Sequence, residues 1–185
     1  MKLAVLVYVF SSLCLYGAAA QAAPASAYAG QEAREIKALS AQEVGDLMAG
    51  KGMGLAKAAE LNGYAGPAHV LELADALELT PEQRAQTQAL KAAMTAKAIP
   101  LGHAVVAAER KLDQLFASKT ITPALLGNAL DEIGALQARV RGVHLEAHLA
   151  QVVVLTTDQN ARYSQLRGYA GDATNAQKAR SQHKH

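Results

Sequence analysis

Met94, Ala98, Leu101, Val105, Ala108, Leu112 and Leu115 follow one another at spacings of four, three, four, three, four and three. A stripe with that alternation runs along one side of an α-helix and needs a second helix to cover it. It continues back to Leu90 or Lys91 and ends at a short turn, Ser118 to Thr122. Beyond the turn Leu126, Leu130, Ile133, Val140 and Ala147 resume a helical periodicity as far as about Val154, with Leu136 and Val143 beside them. Two long helices joined by a short turn lie antiparallel, so the sequence predicts an all-α, elongated antiparallel helical hairpin. Pro100 falls inside the first helix, off the stripe. It predicts a kink or local break, because proline removes a backbone hydrogen bond and crowds the preceding turn.

The two ends of the hairpin carry nearly the same words. Leu79-Thr80-Pro81-Glu82-Gln83 opens the first long segment and Leu155-Thr156-Thr157-Asp158-Gln159 follows the second. Each reads as a helix start, with threonine as N-cap and glutamine reaching back to the threonine amide in a capping box. Pro81 suits the first helical position, and Glu82 and Asp158 place negative charge at the positive end of the helix dipole. An antiparallel hairpin returns the end of its second helix to the start of its first, so the two brackets are expected to meet. Thr122-Pro123 opens the return helix in the style of Thr80-Pro81, and Thr156 to Arg167 predicts a last short helix stopped by Gly168.

Short helices flank the hairpin on its N-terminal side. Ser40 and Glu43 form a further capping box for a helix carrying Val44, Leu47 and Met48, which Gly50, Gly52 and Gly54 end. That glycine run is no phosphate loop, since no strand precedes it and no Gly-Lys-Ser/Thr opens a helix. A second short helix from Leu55 to Leu61 stops at Asn62-Gly63. A third, Ala68 to Glu78, places Val70, Leu71, Leu73, Ala74 and Leu77 on an apolar face behind Pro67.

Lys2, the apolar run Leu3 to Tyr16 and the small-x-small site Ala20-Gln21-Ala22 predict a cleaved signal peptide over residues 1–22 and a periplasmic destination. The apolar stretch is close to the roughly 20 residues that span a bilayer, so an uncleaved membrane anchor is the alternative. Cys14, the one cysteine, lies in that run and is not preceded by the small residue that lipidation requires. The mature chain then has no thiol, which excludes disulfides and cysteine metal ligands. Residues 23–38 read as a flexible leader, 39–169 as the helical domain, and 170–185 as a disordered basic tail. The 51% hydrophobic content is largely alanine, with only 4% aromatics, a thin core better suited to an elongated hairpin or a dimer than to a globule. A net charge of +2 suggests no dedicated nucleic-acid partner.

His144 and His148 stand four apart on the return helix, so both imidazoles reach over one patch. They serve either as packing groups or as two ligands for a divalent transition metal such as Zn²⁺, Cu²⁺ or Ni²⁺. Zinc wants three or four ligands, and His103, Glu109 and Met94 are the further candidates, His103 being a weak one. Glu146 lies about 200° round the helix from His144 and is not one of them. His183 and His185 could capture metal loosely in the tail, and Met48, Met53 and Met94 read as core filler. No nucleophile, base and acid come together, so no enzyme is expected and no cofactor is required.

The doubled Leu-Thr-x-x-Gln pattern resembles the Spy/CpxP family, small periplasmic proteins of envelope stress and heavy-metal resistance. Leu79, Thr80 and Gln83, and again Leu155, Thr156 and Gln159, match its motif directly, and the likeness spans about Leu39 to Tyr169. The resemblance implies an all-helical, often dimeric, cradle-shaped protein. It implies an ATP-independent chaperone that holds unfolded periplasmic proteins, or a partner that restrains a membrane stress sensor. Related members bind zinc, nickel or cobalt through histidine, glutamate and methionine. They carry a histidine pair in the first helix, where this chain has none between Ser40 and Leu61. The sequence therefore leads to client binding first, and to a metal sensor or resistance protein as the alternative.

Overall fold

The computed structural model describes residues 26–169, so the signal segment, the first residues of the leader and the C-terminal tail lie outside the described residues. The chain divides into two units, 1–32 and 33–185. In the described part of the first, the amides of Ala29 and Gln31 donate to the carbonyls of Ser26 and Tyr28 in successive turns.

The second unit is all-α among the described residues. Its helices are α1 (Ala41–Met48), α2 (Lys57–Glu60), α3 (Pro67–Glu72), α4 (Pro81–Ala117), α5 (Pro123–Val152) and α6 (Thr157–Leu166). The 37 residues of α4 and the 30 of α5 pack along each other as the expected antiparallel hairpin. α1 and α3 lie on α4, and α2 and α3 also reach α5. No helix among the described residues is long and apolar enough to cross a membrane.

The caps do what their residue types dictate. Ser40, Thr80 and Thr156 each accept the amide of the residue three on, and Glu43, Gln83 and Gln159 each return a bond to the cap amide. Thr122 accepts the Leu125 amide, but leucine at that position has nothing to give back. Pro100 neither breaks nor interrupts α4. Pro100 and Ala96, whose carbonyl the proline leaves free, are both on the exposed side of the helix, where solvent can satisfy that oxygen.

The apolar stripe is partly as expected. Ala98, Val105 and Ala108 are buried, while Met94, Leu101, Leu112 and Leu115 are half-buried. Thr87, Gly102 and Val106 are buried as well, because α4 is covered by more than α5. Gly102 shows why a glycine is needed: the Leu47 carbonyl at the end of α1 sits where a Cβ would be, and the two would collide. On α5 the buried face is Ala129, Ile133, Val140, His144, Ala147, His148 and Gln151. Leu130 is not part of it; one residue round the helix from Ala129, it is 52% exposed.

Three boundaries move. The helix expected from Ala68 to Glu78 is α3 alone and ends at Glu72. Leu73 to Leu79 continues in turns, with Glu78 at φ +53 and the Leu79 amide bonded back to Ala74. Ala74 and Leu77 still enter the core, so the apolar spacing survives while the helix does not. The helix expected over Leu55 to Leu61 shrinks to α2, held between Gly54 and Gly63, both at positive φ. Packing also starts before the expected boundary at residue 39. Ile36 is 2% exposed, and Asp113 on α4 accepts from both the Lys37 amide and its Nζ at 3.1 Å.

Two clusters make the core. Ile36, Leu47, Val105, Val106 and Val140 tie α1 to the hairpin. Ala65, Val70, Ala74, Leu77, Leu79, Leu155 and Tyr163 close the end where α4 begins and α5 finishes.

Candidate functional site

The two brackets meet at that closed end. Gln83 Nε2 donates to Gln159 Oε1 at 2.8 Å, and Gln159 Nε2 donates to Gln83 Oε1 at 3.0 Å. The second proton of each amide goes to the backbone near the opposite bracket, Gln83 to the Val154 carbonyl and Gln159 to that of Leu77. Each Oε1 also accepts its own threonine amide, at 3.1 Å for Thr80 and 2.9 Å for Thr156. A primary amide has two donors and two acceptor sites, and here all are used. Leu79 and Leu155 are buried beneath in one cluster. One step along, Gln151 Nε2 donates to Thr87 Oγ1 at 3.1 Å, carrying the polar seam further between α4 and α5. The motif residues thus form a clasp between helix ends.

His144 and His148 lie on the same side of the molecule as α2 and α3. Both are buried, at 3% and 8% exposure, and both line a cavity of about 420 Å³. Two glycines make room for the rings. A Cβ on Gly66 would lie 2.7 Å from His148 Cε1, and one on Gly52 would lie 3.4 Å from His144 Nδ1. His148 Nδ1 is 2.7 Å from the Tyr64 carbonyl. A carbonyl oxygen has no proton to give, so Nδ1 carries one, and Nε2 holds the lone pair when the ring is neutral. His144 Nε2 is buried with no partner. Burial, and then the neighbouring His148, push the His144 imidazole below its usual proton affinity, so it is neutral at neutral pH.

One wall is built around Glu60, a carboxylate only 7% exposed. Its Oε1 accepts from Tyr163 at 2.6 Å and from Tyr169 at 3.1 Å. Arg167 Nε and His69 Nδ1 each stand 3.4 Å from the same oxygen. Glu60 Oε2 lies 3.7 Å from His148 Nδ1 and has no hydrogen-bond partner. Burial, helped by the carboxylate, pushes the Tyr163 phenol well above its usual value, so it keeps the proton it donates.

Of the expected further ligands only Met94 lines this cavity together with the histidine pair. His103 is exposed on α4, Glu109 is half-buried beside Leu112 and Phe116, and Glu146 is exposed. Met53 also lines the cavity, at 42% exposure, so it is not core filler. His183 and His185 lie outside the described residues. Among the described residues no three His, Cys, Asp or Glu side chains are disposed to share one ion. Glu60, His69, Tyr163, Arg167 and Tyr169 were not singled out by sequence. Glu60 and Tyr163 are 103 residues apart, and no local spacing announces such a pair. The one signal available was Tyr163 and Arg167 at i and i+4, which places Arg167, at the C-cap of α6, one turn beyond Tyr163 on the same side.

Comparison of the chain with protein-family models, with curated proteins and with solved structures gives no match.

Proposed function

We propose that this protein is an exported, ATP-independent client-binding protein of Spy/CpxP type that holds partly unfolded periplasmic proteins, acting as a homodimer. One observation carries the reading: an open groove of about 740 Å³ lined only by α4 and α5. Its floor is Leu101, Ala104, Leu136 and Val143, all half-buried, and Lys97, Arg139 and Glu146 stand exposed at its edge. A shallow apolar floor with a charged edge suits extended apolar segments of mixed sequence better than one defined ligand. Exposed Phe116, Leu125 and Leu130 add apolar surface towards the tip of the hairpin. The doubled bracket supports the family reading, and with it the envelope-stress role and a membrane sensor as a further partner.

Aggregation of a model client in the presence of stoichiometric mature protein tests this. Suppression that is lost in Val143→Glu, with an unchanged helical spectrum, is the expected result. No suppression by the wild-type chain removes the proposal.

A specific observation favours a second reading, metal binding. His144 and His148 face one cavity as two buried imidazoles, and one of them has an unpartnered nitrogen. Calorimetry with Zn²⁺, Ni²⁺ and Cu²⁺ on wild type and His144→Ala/His148→Ala tests it. Equal heats in both proteins defeat it.

A further inference from the structure

We propose that the histidine cavity takes a soft monovalent cation, Cu(I), held by the imidazoles of His144 and His148 and the thioether of Met94. This rests on the metal-binding reading and specifies its ion.

The donors are of the right kind and few. His148 gives its Nδ1 proton to the Tyr64 carbonyl, the usual way a ligating imidazole is oriented, which leaves Nε2 for a ligand. His144 is 3% exposed and its Nε2 has no partner, so a buried ring nitrogen of a cavity-lining residue is left with no donor to meet its lone pair. Met94 brings a polarisable sulfur from α4 to the same cavity, and Met53 brings another from the glycine segment.

What the cavity lacks decides between ions. Zinc sites use three or four nitrogen, oxygen or sulfur ligands, and hard dications need several oxygens. Among the described residues no third His, Asp or Glu joins a shared centre. Glu60 does not fill the gap. Its Oε1 is taken by Tyr163 and Tyr169 and lies beside Arg167, and its Oε2 faces the protonated Nδ1 side of His148. That carboxylate orients an imidazole and is already met by a guanidinium, so little negative charge is left for a dication. The cost of burying an ion grows with the square of its charge, which favours a single positive charge in such a site. Soft thioether and imidazole ligands in a low-coordinate set select Cu(I) among the first-row ions.

The test uses the full mature chain carrying His183→Ala/His185→Ala, so that the tail cannot contribute. Cu(I) is titrated without oxygen against the chromophoric chelator bicinchoninate, and Zn²⁺, Ni²⁺ and Co²⁺ by calorimetry. One Cu(I) per chain is expected, bound at least a hundredfold more weakly by His144→Ala/His148→Ala and at least tenfold more weakly by Met94→Leu. X-ray absorption at the copper edge should show a sulfur neighbour in the parent chain and none in Met94→Leu, a change that a merely structural methionine would not cause. Unaltered Cu(I) affinity in Met94→Leu, or displacement of Cu(I) by equimolar Zn²⁺, overturns the Cu(I) assignment and leaves metal binding standing. Absence of binding by these four ions and by Cu²⁺ overturns both.

Discussion

Gln83 and Gln159, 76 residues apart, hold each other by two amide hydrogen bonds of 2.8 and 3.0 Å, each donating to and accepting from the other. Removing either side chain leaves the other amide half-satisfied in a partly buried site, at a cost of about 1–3 kcal/mol. Removing both leaves neither stranded. Thermal or urea unfolding of Gln83→Ala, Gln159→Ala and the double variant should therefore be non-additive, the pair costing less than the sum by more than about 0.5 kcal/mol. Additive losses would mean that the two brackets stabilise their own helices independently.

Glycines on the two long helices should respond in opposite ways to alanine. Gly102→Ala drives a methyl into the Leu47 carbonyl, and overpacking of that kind costs about 1–3 kcal/mol. Gly127, Gly134 and Gly142 on α5 have nothing within 4 Å of an added Cβ. Alanine there should stabilise by roughly 0.5–1 kcal/mol each, through helix propensity. Urea midpoints of the four single variants measure this directly, and a neutral Gly102→Ala would show that α1 can lift from α4 at no cost.

The hairpin, its turn and all the caps were legible because each is written locally: period, threonine, proline, glutamine. The meeting of the brackets followed from topology alone. What was not legible depends on contacts made across long separations. Leu130 has the same chemistry as Ile133, yet it stays 52% exposed while Ala129 beside it is buried. Ile36 sits in a stretch of leader-like composition, yet α4 supplies the surface that buries it. Glu60 looks like any surface acid until α6 folds back and brings Tyr163 and Tyr169 to it. The histidine pair was visible as a pair, but its surroundings were not. Gly52 and Gly66, singled out only as turn glycines or not at all, turn out to be the space the rings occupy.

Acidification should weaken the fold in two windows. The His144 imidazole is depressed in the folded chain, so just below its ordinary value of 6.5 the unfolded chain binds a proton that the folded one refuses. Stability from this group is thus complete above about pH 6.5 and falls as the pH drops towards the folded value. Glu43, held low by Ser40, and Asp113, held low by Lys37, lose their contributions only near and below pH 4. Melting temperatures between pH 7 and 5 should slope downwards in wild type and more shallowly in His144→Gln. Equal slopes in the two proteins would place the sensitivity elsewhere.

Tyr163 makes the shortest hydrogen bond to Glu60 and is itself fully buried. Tyr163→Phe keeps the ring in its cluster with Leu77, Leu79 and Leu155 but takes a donor from a buried carboxylate. The change should cost about 1–3 kcal/mol, because a charged acceptor that loses a partner in a buried site suffers more than a neutral one. Glu60 also faces His148, so the effect should spread. The chemical shifts of the His148 ring should move in Tyr163→Phe although the two side chains belong to different helices. Loss of stability with an undisturbed His148 would confine Glu60 to holding α2 against α6. A moved imidazole would show that one carboxylate sets both the end of the core and the shape of the cavity.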